Sequence, residues 1–487
     1  MAGLRNIVDK GRRSPWIGLG VLWVVGFIGA LSRFIMAFYQ IQISDDLHIG
    51  RGFISLSWST NLLIAALCAP LGGWMIDRYG VRKVMLLSTT LGIIGTGVVC
   101  LGQHPLLFFT GYGVISGLAG IGASATYVLL FSWFSKHRAK AIALIQSASS
   151  IGLAVCTPIF AQNAWLSWKV TFLASCLLGL VVTLPLILLF IPHPGKHEAS
   201  AGGTGDSGAG GRETGVPDRA EGAGGRETGV PDRAEGAGGR GTGVPDGAEG
   251  AGGRGTGVPD GAEGAGDKGN RASNSAAGTV PGTSMAAGGL KQLGRSQLAV
   301  LTVIGLALFV CGFNMGTVEM NLVAIHQEAG VSQTSIAAGM AILGIMEIVG
   351  SFTFGFLLDR GDKTYIMSML YGIRVLGFMI LFAHFSWSPA VFAFAFGITY
   401  LGAIPGGLMI ADQLAGIKGK LVGTLLLFHQ GGGILGALLG GILYDYMKSY
   451  QLLIAADAGL ATLAAAGYIL VRRYRSRPLA GNREAQA

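Results

Sequence analysis

The stretch GWMIDRYGVRK, residues 73–83, joins two long apolar runs, and a related stretch, GFLLDRGDK, occurs at residues 355–363. Both contain the pattern G-x-x-x-D-R. In each case the pattern follows the second of six apolar runs, once in the first part of the chain and once in the second part. This recurrence indicates an internal duplication with parallel repeats, related by an axis along the membrane normal.

The residue types of this pattern fit a tight connection between membrane helices. A glycine lets two helices approach closely, an aspartate can face a helix N-terminus, and basic residues hold the loop in the cytoplasm. We therefore expect structural or gating roles for the residues of both copies: Gly73, Asp77, Arg78, Gly80, Asp359 and Arg360.

Outward from these loops, the composition predicts a chain that lies mostly in lipid. It is 51% hydrophobic and 13% charged, with a mean hydropathy of +0.55, whereas a soluble protein carries about 25% charged residues. Twelve apolar runs are near the ~20 residues that cross a bilayer. The predicted spans are 16–40, 53–76, 84–101, 106–131, 141–160, 170–191, 298–322, 335–358, 365–385, 389–410, 421–443 and 451–471. The expected fold is an all-α membrane protein with two six-helix halves.

Basic residues predict the orientation of these spans. They are concentrated in alternate loops and at both ends of the chain, while the other loops hold only Arg51, Lys169 and Lys448. Cytoplasmic loops carry the excess of Lys and Arg. We expect both termini in the cytoplasm and a multi-pass membrane protein.

Between the two halves, residues 1–194 and 297–487, lies an insert of different composition, residues 195–296. It repeats a 14-residue unit typified by GRETGVPDRAEGAG, with almost no aromatic or branched apolar side chain. Such a segment buries too little surface to offset its ordering entropy. We expect a disordered cytoplasmic linker, with a solenoid or a partner-binding tail as alternatives.

Several functions find no support in the sequence. The five cysteines lie in apolar runs without metal-ligand spacing, and there is no phosphate-binding loop or nucleophile triad. The net charge of +9 is distributed among short loops, which argues against nucleic acid as a partner. We expect no enzymatic activity, no cofactor and no bound metal.

The duplicated G-x-x-x-D-R motif resembles that of the major facilitator superfamily, and the resemblance covers the whole chain except the insert. It implies alternating access, in which two halves rock about a central cavity. It also implies a monomer in the lipid bilayer of the cytoplasmic membrane. A narrower resemblance begins at Trp133. Lys136, Arg138, Ala141 and Gly152 match the start of the fifth helix in monocarboxylate and oxalate/formate-type carriers, whereas His137, Lys140 and Ala143 depart from it.

Ionisable residues within spans are costly and are functional hypotheses by default. Arg33 in span one suits bidentate capture of a carboxylate, and related carriers have a basic residue near this point. A structural pair with Glu319 of span seven, or an Arg33 side chain that reaches outward, are the alternatives. Tyr127 and Asn314 are expected as further polar residues of the substrate-binding cavity.

Three residues are candidates for proton coupling: Glu319, His326 and Glu347. An imidazole titrates near neutrality, although His326 can equally be a solvated residue at a loop end. Glu347 occupies the place of an acid in monocarboxylate carriers. Those carriers have an arginine four residues later, where this chain has Ser351, so the resemblance leaves Arg33 as the main cavity cation.

Two further residues, Arg374 and His429, are expected to be structural or gating. Arg374 can pair with Glu347, or it can support the helix bundle from outside the cavity. His429 precedes glycines at 432, 436 and 440 that suit a close-packed helix face.

These observations favour secondary active transport of a small organic anion, such as a monocarboxylate, in symport with a proton. The first alternative is a proton-coupled exporter of cationic or amphiphilic compounds that uses Glu319 and Glu347 as binding charges. The second is a membrane sensor that does not transport.

Overall fold

A computed structural model describes residues 14–101, 104–134, 138–191, 295–415 and 419–475. The expectation for residues 195–294, including the disordered linker, lies outside the described residues, as do Lys136 and His137. Within the described ranges the chain is helical, without strands.

Twelve helices in the described part of the chain are long and apolar enough to cross a membrane, as the sequence predicted. In chain order, as α1 to α12, they are Pro15–Phe38, Arg51–Tyr79, Val81–Cys100, Pro105–Trp133, Lys140–Gln162, Trp168–Phe190, Ser296–Glu328, Gln333–Arg360, Lys363–Ala383, Ser388–Leu414, Leu421–Met447 and Gln451–Tyr474. A short helix, Gln40–Leu47, follows α1.

The predicted ends of the spans lie within a few residues of the helix ends, except in α7. This helix continues to Glu328, so His326 lies inside a helix and is only 3% exposed. The interpretation of His326 as a solvated residue at a loop end is therefore wrong. Extra turns beyond the apolar run are stabilised by contacts with other helices, which hydropathy does not measure.

Three of the twelve helices are interrupted, and in α6 the irregular segment is a π-helical stretch, Gly179–Thr183. In α4, a π-helical segment and a 3₁₀ turn replace regular α-helix between Phe109 and Gly122, and several glycines there contact α2 and α3 closely. In α10 the regular helix stops at Tyr400 and resumes at Ala403. Such interruptions free backbone groups that other helices must satisfy inside a membrane.

Helices α1 to α6 and helices α7 to α12 form the two halves, which meet along three pairs: α1 with α7, α2 with α11, and α5 with α8. The helices of the two halves pack closely where small residues lie in the contact. A Cβ on Gly344 of α8 would lie 2.3 Å from the Ser150 carbonyl oxygen of α5. Large apolar side chains are exposed on the outer faces of the helices, for example Leu67 and Phe352, as expected for faces in contact with lipid.

In the G-x-x-x-D-R loops, the close approach of helices does not occur at the predicted glycines. A Cβ on Gly73 or Gly355 would meet nothing within 4 Å, whereas one on Gly72 would lie 1.9 Å from the Ile121 carbonyl oxygen. The close approach is therefore at Gly72, and the explanation given for Gly73 and Gly355 is wrong for this conformation. Gly80 has a φ of 86°, which lets α3 begin directly after α2.

The two ends of the molecule differ. At the end that contains Arg51, hydrogen bonds and an ion pair join the halves, and we call this group of Arg51, Glu328, Asp445 and their neighbours the sealed end. At the other end, which we call the Asp77 end, Asp77, Arg78 and Tyr79 are all exposed. Which end faces the cytoplasm remains the prediction made from the basic residues.

Candidate functional site: a central cavity between the halves

A cavity of about 350 Å³ lies between the two halves. Helices α1, α2, α4 and α5 of the first half and α7, α8 and α10 of the second half line it. The lining residues with polar groups are Arg33, Trp58, Tyr127, Gln146, Ser149, Ser150, Thr157, Glu319, Glu347 and Tyr400. Four of the predicted site residues are among them: Arg33, Tyr127, Glu319 and Glu347.

Arg33 and Glu319 form a loose pair across the cavity. Nη1 of Arg33 lies 3.9 Å from Oε2 of Glu319, and the two side chains are 41% and 30% exposed. Nη2 of Arg33 also lies 3.5 Å from Oγ of Ser149. Because the guanidinium makes only these long contacts among the described residues, it keeps donors free for a bound anion.

Glu319 has a closer partner than Arg33. The hydroxyl of Tyr400, on α10, donates a hydrogen bond to Oε1 of Glu319. Sequence reasoning did not find Tyr400, because a tyrosine in an apolar run carries no signal of its own. Tyr400 is the last residue of the first regular segment of α10, and only the fold shows this position.

Glu347 is held by the opposite half. Oγ of Ser150 donates to Oε2 of Glu347 at 2.6 Å, and the carboxyl is 6% exposed. The alternative pair between Glu347 and Arg374 is wrong. Arg374 donates instead to the Thr399 and Tyr400 carbonyl oxygens, at 3.0 and 3.4 Å, because it lies against the break in α10.

Asn314 does not line the cavity, although it was expected to bind substrate. It is fully buried on the other face of α7, where its Nδ2 donates to Oδ1 of Asp457 at 2.7 Å. Asp457 of α12 is a second residue missed from the sequence, although a lone carboxylate in the apolar run 451–471 was a signal for it. Burial of this polar pair away from the cavity indicates a contact that fixes α7 on α12.

His326 and His429 also lie outside the cavity lining. His326 is buried near the sealed end, two residues before Glu328. At His429 the backbone of α11 comes so close to α7 that a Cβ on Gly312 would lie 1.8 Å from the His429 carbonyl oxygen. This contact fits the expected close-packed helix face, and both proton and gating roles for these histidines stay predictions.

The described residues contain no group of three or more His, Cys, Asp or Glu side chains arranged to hold a metal ion. The cavity offers one arginine, two carboxyls, hydroxyls and aromatic rings. It can bind a small polar molecule through charge and hydrogen bonds, and it can place a proton on Glu319 or Glu347.

Comparison with known proteins agrees with a two-halved helical bundle around a central cavity. The family model of the Major Facilitator Superfamily matches residues 22–220 and 304–487. The chain therefore belongs to the major facilitator superfamily, and it is a multi-pass membrane transporter rather than an enzyme.

Relatives and solved structures extend the likeness. The uncharacterized MFS-type transporter YcxA of Bacillus subtilis is 24% identical over 86% of this chain and 85% of that protein. Monocarboxylate transporter 3 of Rattus norvegicus is 24% identical, over only 30% of each chain. A bacterial homologue of the human lysosomal transporter Spinster has the same fold, with a TM-score of 0.58 at 13% identity, covering 94% of this chain and 97% of that one.

Proposed function

We propose that this transporter carries a small organic anion, such as a monocarboxylate, together with a proton. The single observation that carries the proposal is the half-exposed Arg33 guanidinium in the cavity wall, 3.9 Å from Glu319. Among the described residues that line the cavity, Arg33 is the one arginine, and there is no lysine. Its planar guanidinium can bind both oxygens of a carboxylate.

The charges in the cavity are the reason why we propose that a proton accompanies the anion. An ionised Glu319 competes with an incoming carboxylate for Arg33, and the anion would also lie near a second acid, Glu347. Like charges at short range are unfavourable. When Glu319 takes up a proton it stops competing, so Arg33 is free to bind the anion. Proton and anion then enter the cavity together.

The size and walls of the cavity support a small substrate. A volume of about 350 Å³ is at the low end of ligand pockets. Aromatic and aliphatic residues, among them Phe34 and Trp58, make up much of the wall. A short carboxylate has one charged end for Arg33 and a compact apolar body for these rings.

Uptake into proteoliposomes tests the proposal. We expect radiolabelled short monocarboxylates to accumulate faster when the outer solution is acidic, and we expect Arg33→Ala to lose at least nine-tenths of that uptake. Lys140→Ala is the matched control, because Lys140 is a basic residue on the exposed surface of α5. Normal uptake by Arg33→Ala, with the protein correctly inserted, contradicts the role of Arg33.

A second candidate, export of cationic compounds by proton exchange, is favoured by one observation. The cavity holds two carboxyl groups and one guanidinium, so it is not positive overall when both acids are ionised. In this case Glu319→Gln and Glu347→Gln abolish transport of cations while Arg33→Ala does not. The same vesicles, loaded with a panel of organic cations, separate the two candidates.

The orientation predicted from the basic residues completes the proposal. With both termini in the cytoplasm of the cell, the sealed end faces outward and the Asp77 end faces the cytoplasm. The sensor alternative is contradicted by any substrate-dependent flux.

A further inference from the structure

Arg374 lies where a charge is hardest to accommodate. It is on α9, is fully buried, and does not line the cavity. A permanently charged side chain inside a membrane helix needs partners that repay its loss of hydration. In the described structure its backbone partners are on α10, where the helix breaks after Tyr400, and Cys311 of α7 and Asp457 of α12 also interact with the guanidinium.

The guanidinium caps this break. The last carbonyl groups of a helix have no partners within the helix. Nη2 of Arg374 donates to the Thr399 carbonyl oxygen at 3.0 Å and to the Tyr400 carbonyl oxygen at 3.4 Å. Nε donates to Oγ1 of Thr399 at 3.3 Å. One side chain therefore caps two carbonyl groups at the end of the first part of α10 and also holds the Thr399 hydroxyl beside them.

The residue whose backbone is fixed in this way also contacts the cavity. Tyr400 is 8% exposed, lines the cavity, and donates its hydroxyl hydrogen to Glu319. Its ring packs edge-on against Phe396, with centroids 5.8 Å apart. Arg374 also lies over Phe396, 5.0 Å from the ring centroid. The cation thus restrains both the backbone of Tyr400 and the ring beside it.

We propose that Arg374 is a positioning residue for the transport site: it caps the break in α10 and so holds the Tyr400 hydroxyl on Glu319. Tyr400 and Arg33 contact different oxygens of the same carboxyl. The position of the hydroxyl therefore governs how firmly Glu319 is held beside Arg33 and how readily Arg33 is released for the anion. This role rests on the proposed function.

The ionisable groups around Glu319 come from four helices. They are Arg33 of α1, Tyr112 of α4, Glu347 of α8 and Tyr400 of α10. Among these, Tyr400 is the neutral donor in direct contact with the carboxyl. Removing its hydroxyl takes away the closest contact of the carboxyl, so we expect the pH dependence of proton-driven uptake to change.

Transport measurements test the proposal through a double-mutant cycle. In proteoliposomes we expect Tyr400→Phe to move the pH midpoint of uptake upward by about one unit, since a hydrogen bond to the charged form is lost. Arg374→Gln should produce the same shift, and the double variant should shift no further. A merely structural Arg374 would lower the maximal rate and leave KM and the pH midpoint unchanged; that result, or additive shifts, overturns the proposal.

Hydrogen exchange of the full-length protein tests the cap without any substrate. We expect backbone amides of 396–400 to exchange at least fivefold faster in Arg374→Gln than in wild type, and at the wild-type rate in Tyr400→Phe. Unchanged exchange in Arg374→Gln overturns the capping role. If wild type moves no carboxylate, the proposed function fails, while the exchange result still decides the cap.

A milder variant keeps the test valid if Arg374→Gln does not fold. Thr399→Val removes the hydroxyl that accepts from Nε of Arg374 and preserves the shape of the side chain. We expect it to raise exchange of 396–400 and the pH midpoint in the same direction by a smaller amount. Thr399→Ser keeps the hydroxyl and should restore both to wild-type values; an unchanged Thr399→Val contradicts the proposal.

Discussion

The sealed end and the Asp77 end each have an aspartate near a helix end, but among the described residues only the aspartate of the sealed end is hydrogen-bonded to the other half. At the sealed end, Asp445 at the C-terminus of α11 accepts hydrogen bonds from the Arg51 and Gly52 amides, at 2.9 and 2.7 Å. These amides form the N-terminus of α2, where a negative charge is favourable. At the other end Asp77, close to the C-terminus of α2, is exposed. One aspartate holds a helix end and the other does not.

This difference indicates which contacts must break for the cavity to change sides. Around Asp445, the Arg51 guanidinium pairs with Glu328 at 3.0 Å and lies 3.5 Å from the Tyr444 ring centroid. Gln40 of the first half also bonds Asn321 of the second. Most of the cross-half hydrogen bonds of the described residues therefore lie at the sealed end, with others beside the cavity at Ser59 and Ser150, and we expect alternating access to break those at the sealed end.

The largest effect is expected from Arg51→Ala. The change removes the bond to Glu328, a 3.2 Å bond to the Tyr450 hydroxyl, and the contact with Tyr444. A mostly buried charge network of this kind contributes about 2 kcal/mol, so the ratio of sealed to open molecules should fall roughly thirtyfold. Spin-label distances between the halves at this end measure it; an unchanged distribution shows that the network does not hold the end closed.

The next largest effect on the sealed conformation is expected from Gly441→Ala, with Gly73→Ala as the comparison. A Cβ on Gly441 of α11 would lie 2.4 Å from the Arg51 carbonyl oxygen, whereas one on Gly73 meets nothing within 4 Å. Gly441→Ala should therefore destabilise the sealed conformation by about 1–3 kcal/mol, and Gly73→Ala should not. Cysteine accessibility at the sealed end compares them. Equal accessibility changes in the two variants would contradict the difference between the two ends. Slow transport in Gly73→Ala, with the sealed end unchanged, would show that Gly73 makes its close contact in the conformation that opens the sealed end.

These tests rely on contacts that sequence reasoning could only partly foresee. Hydropathy and loop charge predicted the helices, because lipid imposes length and polarity on every span. Arg33 and Glu319 were found because charges within spans are rare. Arg51 was read as a loop residue, yet it begins α2 and is 7% exposed. Its partners come from distant parts of the chain, and no local pattern encodes such contacts.

Asp445→Asn should have a smaller effect than either change above. Oδ1 of Asp445 accepts from the Arg51 amide and Oδ2 from the Gly52 amide, so asparagine, with a single oxygen acceptor, keeps one of these bonds and loses the other together with the charge at the α2 N-terminus. The charge contributes about 0.3–1 kcal/mol and the hydrogen bond about 1 kcal/mol, which together correspond to a shift of roughly tenfold in the sealed population. Spin-label distances should show this shift at low salt and a smaller shift at high salt, where the contribution of the charge is screened. A salt-independent shift would point to packing rather than to charge.

The smallest effect is expected from Asp362→Asn at the Asp77 end. Burial alone would raise the pKa of Asp362, but hydrogen bonds from Thr364, Tyr365 and Arg472 hold the pKa below its ordinary value. A lowered pKa stabilises the fold above the pKa of the unfolded chain, and this contribution disappears as pH falls through the folded-state pKa. Asp362 and Arg472 are 48% and 50% exposed, so solvent screening leaves a few tenths of a kcal/mol. Asparagine preserves the helix cap.

Thermal unfolding in detergent should therefore distinguish this variant from wild type only slightly at neutral pH, and not at all in acid once the pH is below the folded-state pKa of Asp362. Both residues belong to the second half, so spin-label distances between the halves should not change. A shift in those distances comparable with that of Asp445→Asn would show that the Asp77 end also holds the halves in this conformation. The contrast between the two ends would then be wrong.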